Sequence, residues 1–265
     1  MAAPLASSSV IHKSPAPVRV LHVTDPHLFA EPEASLRGTN TRLTLQAVLD
    51  HISAEAWPAD LVALTGDLIQ DDTRGAYTRV RDMLEVFDVP VHCVPGNHDV
   101  RSLMREVLRP PRFHYCESTV SGNWLIAGID SCIEGKAGGR IGKREFSRLA
   151  GLLAGTKAEH VLICLHHPPL PVGSRWLDSV GLENGLEFLE HLAASGKVRA
   201  AIFGHVHQAF DGEYAGIRII GTPSTCRQFS MNSDDFSLDE NPPAYRRLEL
   251  QSDGSVDGKL IWVEF

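Results

Sequence analysis

Five short polar clusters carry the residues able to do chemistry: Asp25-Pro26-His27, Gly66-Asp67, Gly96-Asn97-His98-Asp99, His166-His167-Pro168 and Gly204-His205-Val206-His207. Together they hold three Asp, one Asn and six His. Carboxylate, imidazole and amide oxygen in one set suit borderline transition ions such as Fe, Mn, Zn or Co. An all-oxygen magnesium site has no need of histidine. Two histidines at i and i+2 in a tight loop opened by Gly204 can serve different metals, and one carboxylate can bridge both through its two oxygens. A metal pair roughly 3.5–4 Å apart would clamp a phosphoryl group and supply hydroxide to attack it. Singly, each cluster reads as an ordinary loop polar group. The inference rests on all five occurring in order, each directly after an apolar run.

Those runs are the elements that must position the clusters. Val18–Thr24, Leu61–Leu64, Val91–Val94, Trp124–Ile129, Val161–Leu165 and Ala200–Phe203 read as strands. Helix-period segments lie between them: Arg42–Ser53, Tyr77 to Phe87, Lys143–Leu153 and Leu186 to Leu192. The β-α-β-α order predicts an α/β architecture, and open α/β sheets bind ligands beyond the carboxyl ends of their strands. From Tyr214 the pattern changes. Gly216–Gly221, Tyr245–Leu250 and Gly258–Phe265 look like strands with little helix between them, and Ser252-Asp253-Gly254-Ser255 reads as a hairpin turn. These tail strands are expected to make a second sheet packed on the first, with helices outside both. Residues 1–17 read as a loose leader and 18–265 as a single domain.

The chain has 265 residues, with 25 Lys plus Arg against 33 Asp plus Glu, a formal charge of −8. That balance argues against capture of long nucleic acid or of an anionic membrane surface. Two bound cations would still make a local pocket attractive to a small phosphate. The five cysteines are widely spaced with no CxxC pair, and the N-terminal stretch lacks a basic region followed by an apolar core, so the expected compartment is the cytoplasm. No apolar run approaches the length of a membrane span.

The five clusters resemble the calcineurin-like metallophosphoesterase family, whose pattern is D-x-H, GD, GNH[DE], H and GHxH; the match runs from residue 25 to 207. The resemblance implies a four-layer α-β-β-α sandwich. It implies one metal on Asp25, His27, His207 and shared Asp67, and a second on Asp67, Asn97, His166 and His205. His98 is implied as a catalytic group at the phosphate or leaving oxygen, oriented by Asp99, and His27, Asp67, Asn97, His98 and His207 as the residues facing substrate. His166 is preferred over His167 because it comes first after its strand; His167 is read as a supporting residue.

Segments LHVTDPHLF (21–29), TGDLIQD (65–71), HHPPLPVGSRWLD (166–178), GTPSTCRQF (221–229) and RRLELQSDG (246–254) are further similar to bacterial class III 3′,5′-cyclic-AMP phosphodiesterases. Pro26 and the HHPP form depart from the usual pattern without removing a ligand. The implied function is hydrolysis of 3′,5′-cyclic AMP to 5′-AMP at two divalent or mixed-valence metals, Fe with Mn first, Zn or Co next. The alternatives are a broader phosphodiesterase acting on 2′,3′-cyclic nucleotides or glycerophosphodiesters, a phosphoprotein phosphatase or nuclease, and a metal-free scaffold. The last is disfavoured because every ligand position is filled. The partner is a small cyclic nucleotide, with monomer and homodimer both open.

Three further readings are made. The 222–228 loop is either a border of the nucleotide pocket or a surface connection. Trp176 and Asp178 form part of the pocket wall or pack locally. His12, His22, His51, His92, His114, His160 and His191 are ordinary half-buried or surface histidines, and Asp234–Glu240 is a solvated acidic loop.

Overall fold

The computed structural model describes residues 16–264, so most of the proposed leader, and Phe265, lie outside the described residues. The first half alternates strictly. β1 (Val18–Val23) leads to α1 (Thr41–Glu55), β2 (Leu61–Thr65), α2 (Arg74–Leu84), β3 (Val91–Val94), α3 (Arg101–Val107) and β4 (Phe113–Tyr115). The chain then crosses into β5 (Ser118–Ser121), β6 (Trp124–Gly128), α4 (Lys143–Gly155), β7 (His160–Cys164), α5 (Arg175–Asp178), α6 (Gly185–Ala194), β8 (Val198–Phe203), β9 (Phe210–Tyr214) and β10 (Ile217–Gly221). A short hairpin, β11 (Gln228–Phe229) and β12 (Leu238–Asp239), precedes a long one, β13 (Ala244–Leu250) and β14 (Val256–Trp262).

Two six-stranded sheets result, ordered β14-β13-β1-β2-β3-β4 and β5-β6-β7-β8-β10-β9. In the first, β1 to β4 run parallel and the β13–β14 hairpin adds antiparallel to β1. In the second, β6, β7, β8 and β10 run parallel, with β5 and β9 antiparallel at the edges. The sheet division differs from the sequence expectation. The tail strands do not form a sheet of their own: β10 completes the second sheet and β13–β14 returns to the first. Hydrophobic period marks a strand but carries no information about which neighbour it pairs with. The expected turn between them is present, with Gly254 at φ 92° and Gln251 N–H donating to Ser255 O at 2.9 Å.

Strand side chains alternate between two cores. Val20, Ala63, Leu162, Cys164, Ala200, Ile202, Ile220 and Leu248 fill the space between the sheets. Leu21, Val23, Val62 and Leu64 face α1 and α2, and Val161, Ile163 and Ala201 face α4 and α6. Strands covered on both faces are apolar almost without interruption, which explains why VRVLHV and HVLIC show no polar alternation. Four layers follow. Asn40 and Thr73 cap α1 and α2, their side chains accepting from Leu43 N–H and Ala76 N–H. Among the described residues, no helix is long and apolar enough to cross a membrane.

The inter-sheet core contains one polar seam, and His22 is its centre. Far from being an ordinary half-buried histidine, it is fully buried. Its Nε2 lies 2.7 Å from Thr65 Oγ1 on β2 and its Nδ1 2.7 Å from Thr222 Oγ1, beyond the end of β10 in the other sheet. Arg246 on β13 adds a second tie, donating to Gly221 O at 3.0 Å. Burial pushes His22 down to about 3, with Arg246 assisting and Asp25 opposing. The unfolded chain therefore binds a proton that the folded chain rejects. The stabilisation is complete above the ordinary histidine value of about 6.5 and is lost as pH falls toward about 3. In urea unfolding of the metal-free protein, His22→Gln should flatten the acid-side dependence of stability by up to about 1.4 kcal/mol per pH unit. Identical slopes in variant and wild type would show that His22 is not the group responsible.

Candidate metal centre

All five clusters lie at the carboxyl ends of β1, β2, β3, β7 and β8, on one rim shared by both sheets. The backbone must bend sharply there, and it does so at the chemically active residues themselves. Asp25, His27, Asp67, His205 and His207 have φ of 52°, 45°, 51°, 68° and 48°. Left-handed conformations cost a non-glycine residue about 1 kcal/mol or more each. They persist because the surrounding structure holds them. Asp25 N–H donates to Gly66 O at 3.1 Å, His27 N–H to Asp67 O at 3.0 Å, and His205 N–H to the Asp25 carboxylate at 3.1 Å.

The side chains converge. Asp67 Oδ2 lies 3.4 Å from His166 Nε2 and 3.7 Å from His27 Nε2. Asp25 Oδ1 lies 3.4 Å from His207 Nε2, and His27 Nε2 is 3.1 Å from His207 Nε2. On the other side of Asp67, His166 Nε2 is 3.2 Å from both Asn97 Oδ1 and His205 Nδ1. The structure thus forms two overlapping nests. One contains Asp25, His27 and His207; the other gathers Asn97, His166 and His205 beside Asp67. All these side chains except Asn97 belong to buried residues.

The outward nitrogens fix what the inward ones present. His166 Nδ1 is 2.8 Å from Thr65 O, and His207 Nδ1 is 2.6 Å from Arg227 O. A carbonyl oxygen only accepts, so each Nδ1 carries a hydrogen and each ring turns its Nε2 inward. His27 Nδ1 lies 2.9 Å from Gln70 Oε1, which directs its Nε2 inward in the same way. Ring nitrogens and carboxylate oxygens crowd one another there, and His205 Nε2 has no hydrogen-bond partner among the described residues. A donor set of this composition fits transition-metal cations. Without a cation, the charges settle among themselves. Burial would raise Asp67, but His166 and His27 hold it well below the ordinary carboxylate value. Burial would lower His166, yet Asp67 lifts it to about 9. Burial keeps His27 at about 4 and, with His166 adding to it, His205 at about 3.

His167 sits beside His166 and His205, close enough to form a potential metal-holding group with them. Its Nδ1 is 2.8 Å from Ser131 Oγ and its Nε2 3.1 Å from Ala137 O, so both ring nitrogens are engaged. Its edge packs on the rings of His166 and His205. His98 donates its backbone N–H to Asp67 Oδ1 at 2.9 Å, and its ring meets that of His27 edge to face at 5.0 Å, lining the pocket above the nests. Asp99 departs from the sequence expectation. Its carboxylate accepts from Gly96 N–H at 2.8 Å, Leu68 N–H at 3.2 Å and the Tyr77 hydroxyl at 2.8 Å, and not from His98. It ties the β2 and β3 loops together and leaves the His98 ring to the pocket. Burial, followed by the charge of Asp67, raises it to about 7.

The 222–228 loop divides. Thr222, Ser224, Thr225, Cys226 and Gln228 are buried, with Ser224 Oγ donating to Asp25 O at 2.7 Å, while Arg227 reaches the pocket. It is no surface connection. Asp234–Glu240 is largely exposed, as expected, with Asp234, Asp235 and Glu240 at the surface, but Phe236 and Leu238 also line the pocket. Trp176 lines it as well, whereas Asp178 is exposed and accepts from Val172 N–H at 2.6 Å. Residue patterns did not single out Gln70, Thr65 or Ser131 as supports. Gln70 and Thr65 sit inside the TGDLIQD segment, the one signal that pointed to them; a backbone carbonyl has no sequence signature.

Close approach makes Gly204 a sensitive position. A Cβ there would overlap the Thr24 hydroxyl and the Asp25 carboxylate. Gly204→Ala should therefore reduce bound metal in the purified protein at least tenfold although no ligand is changed. Gly142→Ala, where a Cβ meets nothing within 4 Å, should leave metal content alone. Equal metal contents in the two variants would contradict this account.

Comparison with known proteins agrees with this geometry. Residues 18–209 match the model of the calcineurin-like phosphoesterase family. A Haemophilus influenzae protein named 3′,5′-cyclic adenosine monophosphate phosphodiesterase CpdA is 37% identical over 240 residues, covering 90% of this chain and 88% of that protein. A Nostoc protein named 3′,5′-cyclic-nucleotide phosphodiesterase is 30% identical, covering 94% of each. Among solved structures, a dimetal phosphatase from Danio rerio superposes with a TM-score of 0.64 at 16% identity, covering 94% of this chain and all of that one. A purple acid phosphatase from yellow lupin also gives 0.64, at 14% identity, covering 95% of this chain and 56% of that one. The two-sheet fold, the Asp/His nests and the match over most of the chain place this protein in the calcineurin-like phosphoesterase family.

Proposed function

We propose that this protein hydrolyses 3′,5′-cyclic AMP to 5′-AMP, lowering cyclic-nucleotide signalling. The observation that carries the reading is the paired arrangement of nests around Asp67, joined to a chain-long similarity to proteins bearing that activity in their names. Asp25, His27 and His207 would hold one metal and Asn97, His166 and His205 the other, with Asp67 shared. Iron with manganese is the pair we favour for this mixed imidazole and carboxylate set, ahead of zinc or cobalt. When bound, the metals supply charge neutralisation at the phosphoryl oxygens and a lowered pKa for the attacking water.

The chain's own residues do the rest. Gln70, Thr65 O and Arg227 O hold three imidazoles in the tautomer that presents Nε2. Asn97 and His98 stand at the pocket side, where His27, Asp67 and His207 also face a phosphate. In the hydrolysis a water oxygen would bond to phosphorus, its lost proton passing to solvent, as the P–O3′ bond breaks and His98 gives a proton to the departing 3′ oxygen, leaving 5′-AMP. Asp99 acts at a distance by holding the loop that carries Asn97 and His98. Residues 18–265 work as one catalytic unit, since ligands come from strands of both sheets. The five free thiols favour the cytoplasm.

His98→Ala should retain two metals while kcat falls about 10²- to 10⁴-fold; substantial metal loss would remove His98 from the proton-transfer role. Asp67→Ala should weaken both metals together, measured as metal per protein chain. Activity abolished by a chelator should return on adding manganese. The functional reading is tested by kcat/KM for 3′,5′-cyclic AMP, 3′,5′-cyclic GMP, 2′,3′-cyclic AMP and bis(p-nitrophenyl) phosphate. If the artificial diester far outruns every cyclic nucleotide, cyclic AMP is not the substrate.

A further inference from the structure

The pocket of about 290 Å³ above the nests has two unlike ends. Its floor is the polar set of Asp67, Asn97, His98 and the surrounding histidines. Its opposite wall is apolar and aromatic, made by Trp176, Phe229, Phe236 and Leu238, with Arg37 beside them. We propose that this wall is a base subsite, which receives the purine ring of the nucleotide while its phosphate rests over the nests. The inference rests on the functional reading above for its substrate and extends it by assigning residues that discriminate a nucleotide from a bare diester.

The wall is assembled from three distant parts of the chain: the α5 turn, the β11–β12 hairpin, and the loop after β1. The rings brace one another. Trp176 lies edge to face with Phe229 at 5.1 Å and with Phe236 at 5.3 Å, and Phe229 with Phe236 at 5.5 Å. Two of the three have a stacked partner. Phe229 lies parallel to the His207 imidazole at 4.3 Å, and the Arg37 guanidinium covers Phe236 at 4.2 Å. Of the three rings Trp176 carries neither a stacked ring nor a cation among the described residues, and we assign it as the platform for a planar guest. Phe236 is 43% exposed despite its place in the cluster. An apolar wall this near a polar floor matches a purine nucleotide, whose flat ring and anionic phosphate are separated by a ribose. The hairpin that carries two of the rings pairs with neither main sheet. It is held instead by Gln208, whose side chain donates to Ser230 O at 2.9 Å, and by Phe229 N–H, which donates to His207 O at 3.3 Å. The rings are thus positioned before ligand arrives, which spares ordering cost on binding.

The test uses a base and a base-free member of each pair. For turnover, 3′,5′-cyclic AMP is compared with methyl riboside 3′,5′-cyclic phosphate, which keeps ribose and phosphate and lacks the base. For binding, 5′-AMP is compared with ribose 5-phosphate on the metal-loaded protein by calorimetry. Trp176→Ala and Phe236→Ala should each cut the base-to-no-base ratio of kcat/KM by about 5- to 150-fold, the range spanned by losing one base–aromatic stack. The loss should appear mainly in KM, and Trp176→Phe should recover most of it. The preference of the protein for 5′-AMP over ribose 5-phosphate should shrink in parallel. A ratio unchanged in both alanine variants, or a wild-type protein that binds ribose 5-phosphate as tightly as 5′-AMP, overturns the base subsite. If cyclic AMP is not turned over but the 5′-AMP preference exists and falls in Trp176→Ala, the subsite stands and the assignment of substrate fails.

Discussion

Two buried carboxylates, Asp25 and Asp67, are the constraint to which the rest of this structure answers. A buried anion is costly unless it is paired and hydrogen-bonded. Here Asp67 faces His166 at 3.4 Å and His27 at 3.7 Å, Asp25 faces His207 at 3.4 Å, and each is anchored by a backbone N–H group, from His205 to Asp25 and from His98 to Asp67. Those contacts leave ring nitrogens facing one another at 3.1 and 3.2 Å. Such an arrangement suits a receptacle for positive charge. That requirement accounts for the histidine content of an acidic chain: six of the 13 histidines lie on this one rim. Local cations offset the −8 of the protein just where a small phosphate must land.

The two-sheet fold is what allows so many groups to approach. Parallel strands release their chains at one end, and two sheets packed face to face bring five such ends to a common line. The seam beneath them is polar where it must bear on the site. Thr24 Oγ1 donates to Asp25 Oδ2 at 2.6 Å, Thr65 Oγ1 donates to Thr24 Oγ1 at 2.8 Å, and Thr65 also meets His22, which reaches Thr222 in the other sheet. A continuous hydrogen-bonded chain therefore links the relative position of the sheets to a carboxylate of the metal nest. The left-handed backbone at Asp25, His27, Asp67, His205 and His207 is strain of the kind that packing must over-determine, and this seam is part of what does so.

Support and substrate selection share parts. Phe229 stacks on His207 on one side and joins the aromatic wall on the other, and Arg227 lends its carbonyl to His207 while its side chain reaches the same pocket. The β11–β12 hairpin thus serves the metal nest and the apolar end of the pocket together. A change in this hairpin is felt at both.

By itself the sequence determined the chemistry and the order of elements. The Asp, Asn and His types and their place after apolar runs pointed to one polar rim, because side-chain chemistry and hydrophobic period are local properties; the division into two ligand sets came from the family resemblance. Only the tertiary structure decided the rest, because it depends on groups far apart in the chain. Strand period could not say that β13–β14 returns to β1 while β10 joins β8, since pairing partners leave no trace in the period. The contacts of Asp99 and His167 turned on which neighbours lay within hydrogen-bond reach. Carbonyl oxygens of Thr65 and Arg227 set the imidazole tautomers, and a carbonyl belongs to every residue alike. The aromatic wall arose from single residues at 176, 229 and 236, with no motif to unite them until folding placed their rings 5 Å apart.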